Sequence, residues 1–116
     1  MDRRTPTITT INENLERALS KGIGENYNPV IGAWVTDAVH NSLEGSLGVR
    51  AEEIVPQATL IKDLRAESID GLDIWYRLEK DLDIKFPRPN NMLITEQDEY
   101  QTVLGLTKII YAIKTS

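Results

Sequence analysis

Ser68-Ile69-Asp70-Gly71-Leu72-Asp73-Ile74-Trp75-Tyr76-Arg77-Leu78-Glu79-Lys80-Asp81-Leu82-Asp83 reads as one helix with two apolar sets. At about 100° per residue, Ile74, Leu78 and Leu82 fall in one stripe, with Trp75 on its flank. Such a stripe is an ordinary core face. Ile69, Leu72 and Tyr76 lie far round the helix, on a face shared with Asp73, Lys80 and Asp83. The first set suffices for the helix's own core. The second, rimmed by charge, fits either a partner surface or a small cluster under a loop or the N-terminal segment. Ser68 stands where an N-cap belongs, a role that accounts for a serine without any chemistry. Pro87 and Pro89 forbid continuation beyond about Asp83.

Three further helices follow from cap and period signals. Thr10-Ile11-Asn12-Glu13 reads as a capping box, with Thr10 as N-cap and Glu13 at N3. Ile11, Leu15, Ala18 and Leu19 continue it at helical spacing, and Lys21-Gly22 closes it. Residues 22–29 are a linker by composition, and Asn28-Pro29 opens the next helix as N-cap and N1. That helix carries Ile31, Val35, Val39, Leu43 and Leu47 at steps of four, flanked by Trp34 and Ala38, and Gly48 ends it. Thr102 caps a last helix with Val103, Leu106, Ile109, Ile110 and Ile113. Residues 88–101 are polar, with one short turn near Thr95–Glu99. No run alternates with period two, so no sheet is expected.

Composition narrows the function classes. The 116 residues suit one small domain, and 41% hydrophobic with 27% charged residues marks a globular chain. The absence of cysteine excludes disulfides and thiolate-bound metals. One histidine, His40, leaves no histidine cluster for a metal and argues against a Ser–His pair. The net charge of -5 is uneven: residues 1–33 hold four basic and four acidic groups, so residues 34–116 carry all of it. An acidic body repels nucleic acid and suits partners with basic patches. No apolar stretch spans a bilayer, and Met1-Asp2-Arg3-Arg4-Thr5-Pro6 has no apolar core behind it to act as a secretion signal. A cytoplasmic protein is the expectation.

Between Glu67 and Asp83 there are six acids and two bases. The helix dipole accounts for Glu67, Asp70 and Asp73 near the N-terminus but not for Asp81 and Asp83 at the other end. Leu60-Ile61-Lys62-Asp63-Leu64-Arg65-Ala66-Glu67-Ser68-Ile69-Asp70-Gly71-Leu72-Asp73 resembles the modification site of the acyl carrier proteins: an acid, a serine and an aliphatic residue at the start of an acidic helix. Upstream, Gly48-Val49 and Glu52-Glu53-Ile54, then Asp63-Leu64, are similar to the family's first loop. Downstream, Leu78-Glu79 and Ile84-Lys85-Phe86-Pro87 resemble the end of its second helix, and Thr102-Val103 the start of its last. The resemblance covers about residues 34–116.

The resemblance implies an all-α four-helix carrier bundle, three main helices plus a short third one. A 1–33 extension with its own helix would precede a 34–116 carrier domain. It also implies 4'-phosphopantetheine attached to Ser68 by a separate phosphopantetheinyl transferase, with acyl chains carried as thioesters. No catalytic residue and no metal is implied. Glu67, Ile69, Asp70, Leu72, Asp73, Tyr76 and Glu79 would dock the transferase, acyl-chain synthases and acyltransferases. Val39, Leu43, Ile54, Leu60, Ile74, Leu78 and Ile109 would line a chamber for the acyl cargo. The chain departs from the family pattern in Glu67 for the usual Asp, Ile69 for Leu, and Arg65, Gly71, Tyr76, Arg77 and Lys80. The resemblance implies a place in fatty-acid or specialised lipid biosynthesis, and the longer 88–101 segment and the extension suggest a specialised carrier, for unusual lipids or a lipopolysaccharide acyl chain, more than a housekeeping one. The alternative is a helical interaction module that uses the 69/72/76 face and holds no prosthetic group.

Overall fold

A computed structural model describes residues 10–85 and 101–116. Among these, four α-helices form an all-α bundle: α1 (Glu13–Ile23), α2 (Pro29–Leu47), α3 (Ser68–Leu82) and α4 (Val103–Thr115), with a single 3-10 turn at Ala51–Glu53. There is no strand among the described residues, only an isolated antiparallel bridge between Thr59 and Thr102. The expected short helix near Thr95–Glu99, the two prolines at 87 and 89 and the first nine residues lie outside the described residues.

Helix α2 forms as its caps dictate. The Asn28 side chain accepts from the Val30 and Ile31 amides at 3.0 and 3.2 Å, and Pro29 occupies N1. Gly48 ends it in the left-handed conformation, φ +67°, where a Cβ would be strained. Val35, Val39 and Leu43 are fully buried, and Ile31 and Leu47 are packed at the edge of the core. The helix touches all three others and is the spine of the bundle. Position 33/34, where the sequence reading divides the chain, lies within it.

Helix α1 is capped by Asn12, whose Oδ1 accepts from the Leu15 amide at 3.1 Å. The expected capping box of Thr10 and Glu13 does not form. Thr10 is buried, the next amide (Ile11) donates to Asp37 at 3.0 Å, and the helix starts two residues later than Thr10 would require. Nor does Gly22 close it. The helix runs on to Ile23, which packs against the core, and Gly24 ends it at φ +91°. Leu15 and Leu19 are 0% exposed in the same core as α2, α3 and α4. Burying two leucines contributes roughly 3–6 kcal/mol before entropy is charged against it.

Between α1 and α2 the Tyr27 ring lies over Gly32 and stacks on Tyr111 of α4, centroids 5.7 Å apart. The Tyr27 hydroxyl donates to Glu16, and the Tyr111 hydroxyl accepts from the Asn28 amide at 2.8 Å. Burial and the Glu16 carboxylate push the Tyr27 phenol well above its usual range. The extension's described part is thus stitched to both α2 and α4.

Helix α3 buries Ile74, Leu78 and Leu82, all at 0% exposure, as its stripe requires. Its C-terminal carbonyls find partners on neighbouring helices. The Trp34 indole donates to Asp81 O at 3.2 Å, and Lys114 Nζ donates to Leu82 O at 2.9 Å while lying over the Trp34 ring. In α4, the Thr102 hydroxyl accepts from the Gly105 amide at 3.0 Å, the expected cap. Val103, Leu106 and Ile110 are fully buried, but Ile109 is exposed. It sits roughly 90° round the helix from the centre of that buried stripe, at about 100° per residue, and its exposed side chain does not line an internal chamber as expected.

Candidate functional site

The segment before α3 is fastened at both ends before it presents Ser68. The Thr59 amide and hydroxyl donate to Asp63 Oδ2 at 2.8 and 3.1 Å, and the Asp63 amide donates back to Thr59 Oγ1 at 3.1 Å. These bonds, the backbone one first, hold the Asp63 carboxyl below the ordinary carboxylate range. The Leu60 amide donates to Gln101 O and the Val103 amide to Ala58 O, both at 2.9 Å, which ties the loop to the start of α4. Leu60, Leu64 and Ala66 are buried. Arg65 between the last two takes φ +60°, an uncommon conformation for a residue with a Cβ. That turn lets Leu64 and Ala66 both face the core, and the Ala66 amide closes the loop on Leu60 O at 2.9 Å.

Glu67, extended at φ -110°, is the N-cap of α3, and Ser68 is its first helical residue. The expected cap at Ser68 is corrected by one position. The reason is Asp70, whose Oδ2 accepts from the Glu67 amide at 2.7 Å, the reach from N3 to N-cap of a capping box. Ser68 is exposed, and no described residue hydrogen-bonds its hydroxyl. The hydroxyl therefore stands at the positive end of the α3 dipole, with no hydrogen bond to another described residue.

The second apolar set is at the surface: Ile69 is 70% exposed, Leu72 50% and Tyr76 63%. Helix α1 packs mainly on α2 and α4. The acids around this set are not equivalent. Glu67 is exposed, Asp70 holds the Glu67 amide, and Glu79 is half-buried. Asp73 accepts from the Ser46 hydroxyl of α2 and from Arg77 Nε at 3.0 Å. The Ser46 bond and then Arg77 hold its carboxyl below the usual range. The Arg77 guanidinium in turn lies over Gly45. Asp73, Tyr76, Arg77, Lys80 and Asp81 line a shallow pocket of about 320 Å³ beside the face.

Ser46 was not singled out by sequence reasoning. It meets Asp73 across 27 positions, a pairing no local spacing reveals, whereas Asp73 and Arg77 at i,i+4 are a visible helical pair. Val39, Leu43, Ile54, Leu60, Ile74 and Leu78 all belong to one buried cluster. Among the described residues no group of three or more His, Cys, Asp or Glu side chains is placed to hold a metal ion. Neither a family model nor a solved structure matches this chain.

Proposed function

We propose that the protein is an acyl carrier protein, modified at Ser68 with 4'-phosphopantetheine. The observation that carries this reading is the Ser68 hydroxyl, exposed at the first residue of α3 and released from capping by the Glu67–Asp70 pair. A phosphate on that oxygen would meet the N-terminal amides of α3, an arrangement that favours an anion. The Ser68 oxygen would attack the phosphoanhydride of coenzyme A, forming a phosphodiester and expelling the adenosine bisphosphate. The transferase would supply the base, since no histidine or lysine stands next to Ser68 in the sequence. The arm would supply a thiol on which acyl groups ride as thioesters, in fatty-acid or more specialised lipid synthesis.

The exposed Ile69, Leu72 and Tyr76 supply the apolar contact that transferases, synthases and acyltransferases would use. The same face equally serves an interaction module without a prosthetic group. No helix among the described residues is long and apolar enough to cross a membrane; a cytoplasmic site of action belongs to the carrier reading. Intact mass after incubation with coenzyme A and a broad-specificity phosphopantetheinyl transferase tests it. A gain of one phosphopantetheine in the wild type and none in Ser68→Ala is expected. Loading of the alanine variant would reassign the site, and no gain in the wild type with several transferases would leave the interaction module.

A further inference from the structure

His40 is the chain's one histidine, it is 3% exposed, and the carrier reading gives it no role. Asn12 Nδ2 lies 2.9 Å from its Nδ1, and Glu44 Oε1 lies 3.4 Å from its Nε2. The Asn12 amide cannot be turned over, because both its ends are committed to backbone groups. Its Oδ1 accepts from the Leu15 amide at 3.1 Å and its Nδ2 donates to Ile54 O at 2.7 Å. Reversal would set donor against donor at Leu15 and acceptor against acceptor at Ile54. Nδ2 therefore donates to His40 as well, Nδ1 must be a bare acceptor, and the ring proton sits on Nε2, toward Glu44.

A second proton on Nδ1 would place two donors 2.9 Å apart in a buried site. Only movement of Asn12 relieves this without also giving up Glu44. Asn12 is at once the N-cap of α1, the link from α1 to Ile54 after the 3-10 turn, and the link to α2. We propose that His40 is an acid-sensitive latch for α1: protonation at Nδ1 expels the Asn12 amide, removes the α1 cap and breaks the links of Asn12 to α2 and to Ile54.

Charged groups of three elements surround the ring. Glu44 of α2 faces Nε2. Glu13 of α1 and Glu52 of the 3-10 turn line the same cleft as His40, a space of about 610 Å³. Asp37, also on α2, holds the Ile11 amide at 3.0 Å. No described lysine or arginine lines that cleft, but Arg50 beside it pairs with Glu52 at 3.9 Å and with Glu53 at 3.5 Å.

Amide hydrogen exchange, corrected to protection factors at about pH 7.5 and about pH 5, tests the latch across the range in which histidine titrates. The amides of α1 are expected to lose protection by about fivefold, the size of a lost N-cap, while those of α3 keep theirs. His40→Gln offers one acceptor and one donor without a titrating group and should abolish the difference. If that variant does not fold, imidazole nitrogen shifts of the wild type decide the matter. They must show a bare Nδ1 and a protonated Nε2 at about pH 7.5, then a second proton arriving together with the loss of α1 protection. An Nδ1-protonated neutral ring, unchanged α1 protection, or a parallel loss in α3 would overturn the proposal.

Discussion

Replacing Ser68 and Asp70 one at a time locates the cap of α3 energetically, and with it the freedom of the serine hydroxyl. If Ser68 capped the helix, Ser68→Ala would cost about 1 kcal/mol. With Glu67 as cap, the hydroxyl is exposed at N1 and unused within the described structure. Alanine is then the better helix former by about 0.5 kcal/mol, so the expected change runs from zero to a gain of that size. Asp70→Ala removes the acceptor of the Glu67 amide, held at 2.7 Å. That bond contributes about 1 kcal/mol, and the carboxylate's place at the positive helix end about 0.5 kcal/mol more. Alanine's propensity returns about 0.5 kcal/mol, which leaves a net loss near 1 kcal/mol. Urea unfolding at neutral pH, followed by helical circular dichroism, resolves this. With a slope of about 1–2 kcal/mol/M, the Asp70→Ala midpoint should fall by roughly 0.5–1 M while that of Ser68→Ala stays or rises. The opposite pattern, a loss of about 1 kcal/mol at Ser68 and none at Asp70, would put the cap back on the serine and refute the assignment.

Two stability predictions concern the frame around the site. A Cβ at position 32 would overlap the Tyr27 ring, which the Tyr111 stack and the Glu16 bond keep from stepping aside; overpacking at about 1–3 kcal/mol outweighs the gain of about 1 kcal/mol from replacing a helical glycine. Gly32→Ala should therefore melt below the wild type, and a higher melting temperature would show that the ring is not held. The Asp63 carboxyl titrates lower folded than unfolded, so its contribution is present above the ordinary Asp range and is lost as pH falls through the folded value. Asp63→Asn should be less stable at neutral pH and lose less on acidification below about pH 4, with an unchanged acid slope as the contrary result.

The parts of this fold that were legible are those set by neighbours in sequence. Asn28-Pro29, Gly48 and Thr102 each bracket a helix with local chemistry, and the two faces of α3 follow from its period. The errors arose where tertiary contacts choose between adjacent candidates. Thr10 and Asn12 both suit a cap, and the choice fell to Asn12 because His40 and the Ile54 carbonyl, 28 and 42 positions away, hold its amide. Ser68 and Glu67 differ by one residue, and Asp70 reaching back decides for Glu67. Ile109 is apolar and next to a core position, so composition alone could not place it outside the stripe. Ser46 on Asp73 required knowing that α2 and α3 lie side by side.

That last contact bears on how α3 would recognise partners in the carrier reading. Six acids along 67–83 suggest docking by charge, but the structure spends several of them internally. Asp70 holds the cap, and Asp73 is bound by Ser46 and neutralised by Arg77. Lys80 adds a second base beside the face. Surface ion pairs are worth little and weaken with salt, whereas three large apolar side chains at half or more exposure are an unspent resource. Recognition through this face would therefore draw its strength from Ile69, Leu72 and Tyr76, with the exposed acids Glu67 and Asp83 setting orientation at its two ends.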